Sequence, residues 1–407
     1  MELVANRRSF RLSVIAVALV LMFASAWHAT VMSFRSLRPQ IAVMLKADEP
    51  IAAPKMAAVV ASRALENKLG APEIVEPLRN SLRVMALNPG ALRLLAISKT
   101  GTLESDPDFA LVELSNEVSR RDLGTQALLI RKGVESNDLG LVLRSYDTAL
   151  RTSERSWDLF FPNLARAIEI PGIEPDFREI MADNPPWLDD FLLFAMERTE
   201  DPRILYQYII RSENVRQFAR RDEIYNGLTS RLVSAGLLDL ARNVFIRFDL
   251  GDPEILVSPE LRADWLDRRG NIMLWQFAEV DGYGAQPLGG TVMSIYANPG
   301  RAGRAASKIL FLDPGRYVFS AKVQGGASEL LDATEWTLGC LGGQSETGQS
   351  LPFTQSRTTQ GGETGLRLSF AVPANCQAVL LALDVDGGDS QLSNDLLLGD
   401  LRLSKAL

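Results

Sequence analysis

This 407-residue chain contains one histidine, His28, and two cysteines, Cys340 and Cys376. A multi-histidine zinc site and a four-cysteine cluster are therefore excluded, and a Ser-His-Asp triad would have to recruit His28. Positive charge is not in excess either. The 43 Lys and Arg stand against 50 Asp and Glu, giving a net charge of −7. A nucleic-acid binder normally carries the opposite balance, so nucleic acid is not an expected partner. No Gly-x-Ser-x-Gly elbow, phosphate-cradling loop or dinucleotide fingerprint occurs. Carboxylate pairs stay available among the 50 acids, but no pattern singles out two of them. The expectation is a protein that is not an enzyme and needs no cofactor, with a polysaccharide hydrolase or lyase kept as a third reading.

Apolar material is plentiful. Hydrophobic residues make up 46% of the chain and charged residues 23%, which suits a folded protein of two or three domains. The longest apolar run comes first. Arg7, Arg8 and Arg11 precede 23 residues without a formal charge, Leu12 to Phe34. As a helix, such a run spans the hydrocarbon core of a bilayer. Trp27 suits the membrane interface, and the lone His28 reads as an interfacial residue. Ala24-Ser25-Ala26 also reads as a cleavage site for a signal peptide. Two outcomes follow: a single-pass anchor in the bacterial inner membrane with the rest of the chain periplasmic, or a secreted or periplasmic chain after cleavage. Residues 1–38 are assigned to a cytoplasmic tail and this segment.

Residues 39–268 read as helices. Asn88-Pro89-Gly90, Asn137-Asp138, Asn184-Pro185-Pro186 and Gly251-Asp252-Pro253 punctuate stretches of 10 to 20 residues rich in Leu, Ala and Arg. One spacing recurs. Tyr225, Leu228, Leu232, Ala241, Phe245, Phe248 and Pro253 mark one face of a helix, a turn at Ser234-Ala235-Gly236, and the facing side of a second helix. Leu129, Gly133, Val142, Tyr146 and Ala149 repeat the rhythm, and so do Leu94, Ile97, Gly101, Ala110, Leu114 and Glu117. These units resemble the tetratricopeptide repeat in degenerate form. Gly101 and Gly133 depart from it where a bulky residue is usual, and Glu117 departs where a small one is. No unit is legible across Ile168 to Arg211. The resemblance implies an α-solenoid with a concave face for a protein partner.

Residues 269–407 change texture. Glycine doublets recur, and eight runs have strand character: Ile272–Glu279, Thr291–Ala297, Ser307–Leu312, Arg316–Gln324, Thr334–Leu341, Gly365–Val372, Gln377–Val385 and Leu396–Ser404. They predict an antiparallel β-sandwich of jelly-roll topology. Alternation puts Trp336, Leu338 and Cys340 on one face, as it does Leu366, Leu368 and Phe370. Trp275 and Trp336 read as core residues, with a second reading as sugar-stacking platforms. Tyr283, in Asp281-Gly282-Tyr283-Gly284, reads as an aromatic on a loop that a sugar ring could meet. In an exported chain Cys340 and Cys376 pair as one disulfide that staples the sheets; the alternative is two buried thiols. Asp384, Asp386 and Asp389 cluster in a glycine turn, either as a plain acidic turn or as oxygen ligands for structural calcium.

This half resembles the jelly-roll modules of carbohydrate-binding and envelope proteins, by strand count and Gly/Pro rhythm. The combined expectation is α then β: a transmembrane helix, a tetratricopeptide-like domain and a jelly roll. The functional expectation is a non-catalytic periplasmic scaffold in exopolysaccharide or envelope biogenesis. The alternative is a carbohydrate-binding protein acting through the sandwich.

Overall fold

The computed structural model describes residues 2–46, 51–52, 54–56, 72–98, 106–212, 218–248, 250–262, 270–289, 291–326, 328–342, 349–360, 363–388 and 395–406. The chain is helical first and β afterwards, as its sequence predicts. It divides into two compact units, residues 1–164 with 171–180, and residues 165–170 with 181–407. The last helices therefore belong to the same unit as the β-sheets.

The first unit opens with α1 (Glu2–Leu37), followed by α2 (Pro39–Leu45). Within α1, Ala16–Arg35 has mean hydropathy 1.7 over 20 residues, and only 6% of its apolar window is buried. At about 1.5 Å per residue that length is about 30 Å. Among the described residues it is the one helix long and apolar enough to cross a membrane. Its large side chains face outward: Phe23 is 72% exposed and Trp27 44%, and the two rings stack 6.3 Å apart. Thr30 and Ser33 donate their hydroxyls to the carbonyls of Ala26 and Ala29, 2.8 Å each, so these polar groups are satisfied within the helix.

Short helices follow: α3 (Pro72–Val84), α4 (Pro89–Ser98), α5 (Phe109–Val118), α6 (Leu123–Glu135) and α7 (Leu139–Thr152). Aspartates start three of them. The carboxylates of Asp108, Asp122 and Asp138 accept from the backbone N–H groups of Ala110, Thr125 and Leu141. The turn between α6 and α7 is closed by Asn137 in the left-handed region, φ +55°, while Asp138 N–H donates to Gly133 O. A Cβ at Gly133 would lie 2.7 Å from Val142 Cγ2, so the two helices touch there. The departure from the repeat at Gly133 thus has a local cause: close approach replaces the bulky side chain. The third sequence unit is out of register. Ala110, Leu114 and Glu117 are exposed, and α5 buries Val112 and Ser115 instead. Gly101 lies outside the described residues.

Helices α8 (Trp157–Ala167) and α9 (Glu174–Ala182) contain the boundary between the units. The second unit continues with α10 (Leu188–Arg198), α11 (Pro202–Arg211), α12 (Arg221–Ser234) and α13 (Leu238–Arg247). Here the predicted hairpin is observed. Gly236 takes φ +71°, Leu237 N–H donates to Leu232 O, and Ala241 is fully buried between the helices. Tyr225 stacks on Phe248 with ring centroids 4.2 Å apart and planes 2° from parallel. Trp187 and Phe191 form a buried T-shaped pair at 5.8 Å, a packing role.

The sandwich has two antiparallel sheets. Its strands are β1 (Gln276–Phe277), β2 (Glu279–Val280), β3 (Tyr283–Leu288), β4 (Val292–Ala297), β5 (Ala302–Leu310), β6 (Gly315–Gly326), β7 (Thr334–Leu341), β8 (Gln349–Ser350), β9 (Phe353–Gln360), β10 (Glu363–Val372), β11 (Ala378–Asp386) and β12 (Leu396–Lys405), with a short helix α14 (Ser328–Asp332) before β7. One sheet runs β1-β5-β11-β7-β8 and the other β2-β3-β4-β12-β6-β10-β9. The pairs are nested: β4 with β12, β5 with β11, β6 with β10, β7 with β8. That nesting is a hairpin of strand pairs rolled into two sheets, the jelly roll that the sequence predicts.

The run Ile272–Glu279 is not one strand. Asn271 makes a turn, its carbonyl accepting from Leu274 and its side chain from Met273, and only two-residue strands β1 and β2 follow. Strand β3, with Tyr283 as its first residue, occupies a stretch read from sequence as loop.

Candidate functional site

Trp336 is 1% exposed on β7 and meets Phe319 with ring centroids 4.8 Å apart. The structure thus places it in the inter-sheet core and leaves no face for a sugar. Trp275 is 8% exposed, and its indole N–H donates to Pro259 O at 2.9 Å. It stacks on Phe277, 6.2 Å away. Tyr283 is half-buried, its ring so close to the backbone at Gly303 that a Cβ there would fall 2.5 Å from the phenol. It is a strand residue packed on the core, which corrects its reading as a loop aromatic.

Cys340 and Cys376 form a disulfide, with Cα atoms 5.5 Å apart. Cys340 is the penultimate residue of β7, and Cys376 lies two residues before β11, the strand next to β7. The bridge therefore ties neighbours within one sheet and does not join the two sheets, a correction to the predicted staple. Asp384 lies 3.2 Å from Arg304 Nε and accepts from Thr337 at 3.2 Å. The Asp386 carboxylate accepts from Gly388 N–H at 2.9 Å. Both carboxylates thus have protein partners, and Asp389 lies outside the described residues. The Arg220 guanidinium engages Asp190 and Glu223, which lowers the Glu223 carboxyl and raises Arg220.

The residue that the sequence reading missed is Lys308. It lies on β5 opposite Leu381 of β11, so its side chain points to the same inner face as that core leucine. Its neighbours on that face, Ala306 and Leu310, are each 1% exposed, and Lys308 is too. The amine donates a hydrogen bond to Met273 O. Burial pushes it down from 10.5 to about 7, because the charged form is desolvated.

Lys308 is among the residues that line a recess of about 150 Å³. Its buried or half-buried walls include Leu261, Leu274, Trp275, Phe277, Pro287, Lys308 and the polar Gln276, whose amide donates to Asn271 O and Leu274 O. Glu260 and Glu279 are the exposed charges on its lining, and Arg262, 3.5 Å from Glu254, is half-buried. The signal for this site was present in the sequence: Ala306, Lys308 and Leu310 alternate inward, with one charge among apolar residues.

Compared with known proteins, the sequence matches no protein-family model and no curated protein.

Proposed function

We propose that the chain is a non-catalytic envelope scaffold. In this reading α1 holds it in the bacterial inner membrane, and the helical pairs and the sandwich work in the periplasm. The observation that carries the proposal is α1: an apolar stretch of 20 residues, most of it exposed, and among the described residues the one helix long and apolar enough to cross a membrane. A disulfide suits an oxidising compartment and agrees with export. Antiparallel helical pairs offer faces of the kind that bind a protein partner. The role in exopolysaccharide or envelope biogenesis is drawn from the jelly-roll architecture, which is common in such proteins.

A reporter active only outside the cytosol, fused at Leu407, tests the proposal. Activity is expected, and a reporter active only in the cytosol would refute it. N-terminal sequencing of the mature protein then separates anchor from cleaved leader: an intact Met1 is expected.

A second reading has the sandwich itself bind carbohydrate. One observation favours it: the stacked rings of Trp275 and Phe277 line the recess beside Lys308.

A further inference from the structure

Lys308 breaks the pattern of its own strand. Lysine ordinarily lays its stem on apolar surface and carries its head into water. This one turns inward between Ala306 and Leu310, opposite Leu381. An ammonium has three donors. Met273 O is its one hydrogen-bond acceptor among the described residues, and none of their carboxylates pairs with it. An unpaired buried charge costs several kcal/mol, a cost that a carboxylate held beside the amine would offset.

The recess supplies the rest of the shape. Its volume of about 150 Å³ matches a cavity that holds a single six-membered ring. Stacked aromatic rings form one wall. We propose that the recess binds a small ring-bearing monocarboxylate, with the ring against Trp275 and Phe277 and the carboxylate on the Lys308 amine. If the ring is a pyranose, the proposal rests on the second reading above and deepens it; if the ring is planar and apolar, it stands without that reading.

The charge pattern narrows the ligand further. Besides Lys308, the charged groups on the lining are Glu260, Glu279 and Arg262. Two exposed carboxylates repel a second negative charge, so dicarboxylates and phosphates are disfavoured. Because burial holds the amine near 7, binding a carboxylate above that pH requires proton uptake.

Detergent-solubilised full-length protein is titrated calorimetrically with benzoate and with D-glucuronate, and with benzamide and D-glucose as neutral counterparts. At pH 7 at least one carboxylate is expected to bind tenfold or more tighter than its counterpart. Lys308→Met is expected to erase that preference. Affinity is expected to fall about tenfold per pH unit between pH 8 and 10. On the unaltered protein, buffers of different ionisation enthalpy are expected to reveal uptake of about one proton per ligand at pH 8.5. Neither carboxylate binding, preference surviving in Lys308→Met, or binding without proton uptake would overturn the proposal. Benzoate binding alone supports it while counting against the carbohydrate reading; glucuronate binding supports both.

Discussion

Lys308→Met should make the protein more stable, and by an amount that depends on pH. Methionine has nearly the same length and volume as lysine and no charge, so the core keeps its packing. The amine titrates near 10.5 in the unfolded chain and near 7 in the folded one. Below about pH 7 both states are protonated, and the folded state bears the full cost of a charge in the core. Between 7 and 10.5 the unfolded chain binds a proton that the folded chain does not, so stability rises with pH. Above 10.5 the cost is gone. At about 1.4 kcal/mol per pH unit over this drop, the cost at low pH is on the order of 5 kcal/mol. Removing the amine also strands the Met273 carbonyl, which costs about 1 kcal/mol. The net gain below pH 7 is then about 4 kcal/mol, or about 8–16 °C in the melting of a unit this size. It should fade to nothing or reverse slightly by pH 11. Thermal and urea unfolding from pH 6 to 11, without added carboxylates, reads this out. A variant no more stable than the parent at pH 6, or one whose advantage is the same at pH 6 and 10.5, would refute the reasoning.

The helical hairpin gives a paired test. Gly133→Ala should destabilise the first unit by about 1–3 kcal/mol, because the new Cβ meets Val142 and the Asp138 carbonyl; Gly140→Ala, which crowds the movable Arg144 guanidinium and touches Asp138 Oδ1 at an ordinary 3.5 Å, should be neutral or stabilising in the same urea melts. Cys340→Ser with Cys376→Ser reopens a chain separation of 36 residues and should cost about 2–4 kcal/mol, read as a lowered urea midpoint that matches the reduced parent.

The parts of the fold that the sequence made legible are those where one periodicity acts alone. The pair α12 and α13 was readable because Tyr225, Leu228, Leu232, Ala241 and Phe245 are all buried, and a glycine in the left-handed region marks the turn. Strands β6, β7, β10, β11 and β12 were readable because each has one apolar face. Strand β9 was not, since Phe353–Gln360 continues as Thr-Gln-Ser-Arg-Thr-Thr-Gln on an exposed sheet edge, with backbone pairing to β10 and almost no core face to announce it. Strand β3 was hidden by Gly284 and Pro287; β2 pairs only with Tyr283 and Gly284, so Pro287 faces no partner on that side and its missing N–H is harmless. The α5 register failed because its step from α4 was counted through Gly101, and the buried positions there include a polar one, Ser115. Lys308 was overlooked for a related reason: a charged residue reads as a mark of the solvent side, and here tertiary packing overrules that sign.

The place of β12 has a consequence for how the sandwich comes into being. Strand β12, the most C-terminal of the sandwich strands, sits between β4 and β6, near the middle of its sheet, and not at a rim. Until Leu396–Lys405 has left the ribosome, and any translocation pore has passed it, β4 and β6 each lack a neighbour and the core stays open to water. Folding here cannot proceed vectorially from the front of the module; it must wait for β12. A nonsense codon just before Leu396 would therefore produce no shorter jelly roll, only a split sheet with two bare edges ready to pair with other chains.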